Sequence, residues 1–83
     1  MGGERPIGRG AVWKRFGPPT EQIGSVNAPR AREECGVKWN EKWLYRDPEG
    51  DGSDRLVLWN RYDLLGVFTL KPDGRAEREP LAE

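Results

Sequence analysis

Eleven of the first 36 residues are glycine or proline, and from Val37 onward side chains alternate with a period of two. That change of character limits what the chain can build. Pro6, Pro18, Pro19 and Pro29 remove backbone donors and fix φ, so neither a long helix nor a central strand runs through residues 1–36. The remainder, residues 37–83, reads as an antiparallel ribbon. The expected fold is all-β, a small antiparallel meander of about three to five strands behind an irregular N-terminal arm with at most one short helix. Such a meander curls into a half-open barrel if a further strand joins it.

Within the arm, residues 11–16 offer a short strand, with Val12, Lys14 and Phe16 on one side and Ala11, Trp13 and Arg15 on the other. Residues 28–35 have the punctuation of a short helix: Asn27 as cap, Pro29 in the first turn and Gly36 as the closing residue. Glu33 and Glu34 sit at the wrong end of that helix for its dipole. Residues 20–26 offer only Ile23 and Val26 as anchors.

In the body, Val37, Trp39, Trp43 and Tyr45 point one way and Lys38, Asn40, Lys42 and Arg46 the other, with Glu41 and Leu44 breaking the pattern. This predicts one half-buried strand with a wet face. Residues 47–54 form a turn, and residues 55–62, apolar on both faces, form a central strand. Asp63 to Gly66 is a reversal or a bulge with Gly66 at the distortion. Residues 67–71 and 75–79 are strands joined by a turn at Pro72-Asp73-Gly74, the last strand charged as an edge should be, and Pro80 stops it.

The chain of 83 residues is 35% hydrophobic and 34% charged, lean for one core, so its four tryptophans carry much of the burial. A body of this size gains stability from a partner or from self-association. Net charge is zero but uneven. Residues 1–32 carry six basic groups against two acidic ones, and residues 33–83 carry eight against twelve. A positive arm on an acidic body points to an anionic partner, or to the arm folding across its own domain.

Catalytic equipment is sparse. There is no histidine, and Cys35 is the single cysteine, which removes zinc, the usual nucleophile–base pairs and an internal disulfide. Glu33 and Glu34 beside Cys35 disfavour its thiolate, so it reads as a small buried hydrophobe near the helix end. Residues 47–54 match the first half of a calcium loop, but its closing carboxylate position falls on Leu58, so an acidic hairpin loop is the better reading. No metal or cofactor is expected. The one acid–base candidate is Glu41, if Trp39 and Trp43 cover it; its ordinary alternative is a cross-strand ion pair, with Arg61 as the candidate partner.

No apolar run is long enough for a signal peptide or a membrane span, and Pro6 spoils the Met-Gly-Gly start as a lipidation site. A cytoplasmic protein without membrane contact is expected. The residues carry no motif from which a family can be read.

Two functional readings lead. The first is a non-catalytic protein-binding module, an accessory subunit or adaptor, docking through Trp13, Arg15 and Phe16 of the arm and through Trp39, Trp43, Trp59, Arg61 and Tyr62 of the body. The second is single-stranded nucleic-acid binding, in which Trp and Tyr rings stack on bases beside Lys14, Arg15, Lys38, Lys42 and Arg61. The acidic body and the pI of about 6.3 weigh against the second. An enzyme built on Glu41 comes third.

Overall fold

The structure is a computed structural model that describes residues 8–79. The Met-Gly-Gly start and the Pro80 stop lie outside the described residues. The chain runs α1 (Arg9–Phe16), β1 (Glu21–Gly24), β2 (Arg32–Glu34), β3 (Val37–Trp39), β4 (Glu41–Tyr45), β5 (Asp54–Asn60), β6 (Asp63–Leu70) and β7 (Ala76–Glu79). Five strands form one antiparallel sheet in the order β1-β4-β5-β6-β7, and β2 and β3 pair as a separate hairpin. From β4 to β7 the sheet is the expected meander. It remains open rather than curling into a barrel, with β1 and β7 as its edges.

Both faces of this sheet are covered, which the expected wet face did not allow for. Helix α1 lies on one face, where Val12 packs with Trp43, Tyr45, Val57, Trp59 and Val67. The other face holds Leu44, Leu56, Leu58 and Phe68, with Trp39 of the hairpin packed among them. Strand β5 therefore has dry surroundings on both sides, and residues 56–59 are all buried.

Trp39 and Trp43 do not share a face, because the expected single strand breaks at Asn40. That residue is 3% exposed and bonded at every polar group. Its N–H donates to the Trp59 carbonyl (3.1 Å) and its carbonyl accepts from the Ser25 N–H (3.1 Å). Its side-chain amide donates to the Val26 carbonyl (3.3 Å) and accepts from the Arg61 N–H (2.9 Å). The chain pivots there, so Val37 and Trp39 fall with one cluster and Trp43 and Tyr45 with the other. Leu44, the apparent intruder on a polar side, is a core residue of the second cluster.

Two readings of the arm are corrected. Residues 11–16 form part of a helix, not a strand. Arg9, Val12, Trp13 and Phe16 have the i, i+3, i+4, i+7 spacing of one helical face, Lys14 and Arg15 suit the C-terminal end of the dipole, and the Gly17 N–H closes the last turn on the Trp13 carbonyl. A helix of eight residues does not persist alone in water, so docking on the sheet holds it. Residues 28–35 are not a helix. Cys35 and Gly36, with φ of 55° and 76°, form the two-residue turn of the β2–β3 hairpin, and Glu34 pairs across it with Val37. Residues 21–24, which offered few anchors, become edge strand β1.

Downstream, the β5–β6 reversal falls at Arg61–Tyr62, with Arg61 at φ 58° and Asn60 opposite Asp63. The bulge lies beside Gly66. Leu58 faces Gly66 while Trp59 faces Leu64, which leaves Leu65 as the extra residue. The Pro72–Gly74 turn and the charged edge strand β7 stand as read.

Candidate functional site

The chemistry-bearing side chains converge where α1 crosses β4 and β5. Arg9, in the first turn of α1, places both guanidinium nitrogens on the Glu41 carboxylate, at 2.8 and 3.0 Å. The Trp43 indole N–H donates to the same carboxylate at 2.8 Å. Both side chains lie on the α1 face because residues 41 and 43 are two apart on β4. The guanidinium also lies over the Trp43 and Trp59 rings, 5.0 and 5.3 Å from their centroids. Its Nη1 donates further, at 3.2 Å, to the carbonyl of Arg61. One cation therefore fastens the helix to the sheet and to the β5–β6 turn.

Glu41 pairs with Arg9 and not with Arg61. Its residue is 4% exposed and both carboxylate oxygens accept hydrogen bonds. The arginine that satisfies it comes from the arm, 32 residues upstream. Nothing in the neighbouring strands points to Arg9; its helical spacing with Val12 and Phe16 is the signal that the sequence offers.

Of the eight residues read as partner-binding, the structure places three in the core. Trp39, Trp43 and Trp59 are 2%, 2% and 0% exposed, and Phe16 is half-buried against the first cluster. Among the described residues, Trp13 and Tyr62 are the large hydrophobic residues left at the surface, 44% and 69% exposed. Trp13 meets the Trp43 ring edge-on at 5.8 Å, so its inner side is anchored and its outer side is wet. Arg15 and Arg61 are exposed near them in sequence, on α1 and on the turn. Arg9 bridges these two elements directly.

A second polar region lies at the other end of β5, an open cleft of about 190 Å³ bordered by Glu49, Ser53, Arg55, Thr69, Lys71 and Glu79 among others. Arg55 donates to Glu79 (3.0 Å), lies 3.7 Å from Glu49 and covers the Phe16 ring at 4.3 Å. The Thr69 hydroxyl donates to Glu79 at 2.6 Å. Burial pushes the Glu79 carboxyl up, but the Thr69 and Arg55 hydrogen bonds override it and hold the group below its ordinary value. These contacts stitch β5, β6 and β7 together and occupy the groups that a ligand would need.

The acidic turn satisfies itself. Asp47 accepts from the Gly52 N–H, Asp51 from the Ser53 N–H, and Asp54 from the Asp47 N–H. The Ser53 bond holds Asp51 below its ordinary pKa. Among the described residues, no group of three or more His, Cys, Asp or Glu side chains is placed to hold a metal ion. Cys35 is not a buried residue at a helix end but is exposed at its hairpin turn; partial desolvation and then the Glu34 carboxylate push its thiol up, against Lys42 and Arg78. No described helix is long and apolar enough to cross a membrane.

No protein family, curated protein or solved structure matches the chain.

Proposed function

We propose that this chain is a non-catalytic protein-binding module, an accessory subunit or adaptor, that docks through the outer side of α1 and the Arg61–Tyr62 turn. The observation that carries the reading is the pair of exposed aromatics. Trp13 and Tyr62 lie on two elements that one half-buried arginine ties together, so their positions are fixed before any partner arrives. Tryptophan, tyrosine and arginine dominate the energetics of protein interfaces, and Arg15 and Arg61 flank the two rings in sequence. A cytoplasmic setting belongs to the same proposal and is supported by the single cysteine.

The nucleic-acid reading ranks second because three of its stacking rings are taken up by the core, leaving Trp13 and Tyr62. The Glu41 enzyme ranks third, since its carboxylate is already paired.

The test is affinity purification of the full chain under native conditions, in parallel with a Trp13→Ser/Tyr62→Ser variant of unchanged melting temperature. A protein retained by the first and lost by the second supports the proposal. Identical recoveries from both chains would overturn it. Salt-sensitive retention of a labelled oligonucleotide by the wild-type chain alone would move the second reading to first place.

A further inference from the structure

We propose that the partner segment received at the Arg61–Tyr62 turn is acidic, and that its carboxylates seat on four cations, Arg30, Arg32, Lys38 and Arg61, gathered around Asn40. The inference names the chemistry of the partner and rests on the docking reading above.

The cluster follows from the pivot. The Asn40 side-chain oxygen accepts the Arg61 N–H at 2.9 Å, which brings the β5–β6 turn beside the end of β3. Lys38 lies two residues before the pivot, and its carbonyl accepts from Arg30 Nε at 3.0 Å. Arg32 stands opposite Trp39 in the β2–β3 ladder, with its guanidinium 5.7 Å from the centroid of that ring. All four residues are exposed, and Tyr62 follows Arg61 directly. A buried asparagine and a strand ladder thus hold the charges together before any ligand arrives.

None of the four lies within ion-pair distance of a carboxylate among the described residues. Arg9, Lys42, Arg46, Arg55, Lys71 and Arg75, by contrast, each meet at least one. Nearby carboxylates are committed elsewhere, Glu34 to Lys42 and Glu41 to Arg9. Glu33, opposite Lys38 in register, and Asp63, opposite Asn60, are the acids that border the patch, so four cations face two anions. Exposed like charges held together repel, and an incoming anion relieves them.

The charge is also lopsided along the sheet. Alternate connections of the meander fall at opposite ends, so the acidic 47–54 loop lies at the end away from Arg61. An acidic partner is steered to the Asn40 end and turned away from the other. A nucleic-acid strand fits less well, since phosphate-binding domains show a broad basic excess and three tryptophan rings that stacking would use are in the core. A short acidic segment with an apolar side chain for the Tyr62 ring matches the patch in charge and in extent.

The probe is a fluorescein-labelled peptide of aspartate and glutamate interspersed with leucine and phenylalanine, titrated with the full chain at low salt. A control peptide carries asparagine and glutamine in place of the acids. The acidic peptide should bind about tenfold tighter than the control and weaken as salt rises. Lys38→Glu/Arg61→Glu reverses two side chains that make no hydrogen bond among the described residues, and should weaken binding by about tenfold or more. Lys71→Glu/Arg75→Glu makes the same charge change at the far end and should leave affinity within about twofold. Should the first variant melt early, Lys38→Gln/Arg61→Gln takes its place, with an expected loss of about threefold or more. No binding, equal affinity for both peptides, or equal losses from the two reversed variants overturns the proposal. Tighter binding of a labelled oligo-dT with the same dependence on Lys38 and Arg61 overturns it too. The two readings fail separately: a purified partner lost with Trp13→Ser/Tyr62→Ser but kept with Lys38→Glu/Arg61→Glu leaves the docking surface standing and overturns the acidic partner.

Discussion

Arg9 and Glu41 stand 32 residues apart in the chain and meet through two hydrogen bonds, of 2.8 and 3.0 Å, beneath the only helix among the described residues. The Glu41 side chain is 6% exposed and that of Arg9 26%, so the two sides of the pair are not equivalent. Arg9→Met strands a buried carboxylate with a single indole donor and should cost about 3–5 kcal/mol. Glu41→Gln leaves a cation that can turn towards water, and should cost less. The double variant Arg9→Met/Glu41→Gln should be more stable than Arg9→Met alone, because the amide needs no counter-charge. Urea unfolding midpoints of the three variants check the order; strictly additive losses would contradict it.

The Glu79 carboxyl is held below its ordinary value of 4.5 by Thr69 and Arg55. Its contribution to stability is therefore present above that ordinary value and is lost as pH falls through the lower folded pKa. Glu79→Gln and Thr69→Val should both flatten the acid limb of a stability–pH curve while leaving the shape near neutrality unchanged. Denaturant midpoints recorded from neutral pH downward provide the measurement, and an acid limb as steep as in the wild-type chain would contradict the assignment.

Two glycines should respond to alanine with opposite signs. Gly10 lies in α1 with open space around a built Cβ, so Gly10→Ala should stabilise by about 0.5–1 kcal/mol through helix propensity. Gly24 has φ 81°, and a Cβ there would stand 2.3 Å from the Asn40 carbonyl oxygen. Backbone in contact cannot swing aside, so Gly24→Ala should destabilise by at least about 1–3 kcal/mol. Thermal melts of the two variants should straddle that of the wild-type chain.

The β2–β3 hairpin turns on Cys35 at φ 55°, next to Gly36 at φ 76°. Asparagine accepts this left-handed backbone more readily than cysteine does. Cys35→Asn should raise stability by about 0.5 kcal/mol and remove the free thiol without disturbing the core. A lower melting temperature for Cys35→Asn would show that the thiol makes a contact of its own.

The body of the fold was legible because its signals are local. Residues 56–59, apolar on both faces, announced a central strand, and Pro72-Asp73-Gly74 announced its hairpin. The arm was not legible, for physical reasons that differ between its parts. In α1 the stripe that faces the sheet begins with arginine, so a search for apolar period missed a helix whose first anchor is an ion pair. At Cys35-Gly36 the turn lacks the usual asparagine, and Gly36 served equally well as the end of a helix. The facing of Trp39 depended on Asn40, whose partners lie at Ser25, Val26, Trp59 and Arg61 and cannot be read from neighbouring residues. That one pivot decided which aromatics line which cluster, and hence which remained for the surface.

Asn40 carries a lesson about tolerance. Aspartate would retain an acceptor for Arg61 and lose the donor for Val26; serine is too short to reach both; leucine satisfies neither. The aliphatic positions of the two clusters, by contrast, accept neighbours of similar volume at modest loss. A library randomised throughout and selected for folding should therefore recover a sharper single-letter preference at this polar residue between two strands than at any aliphatic position of the two clusters.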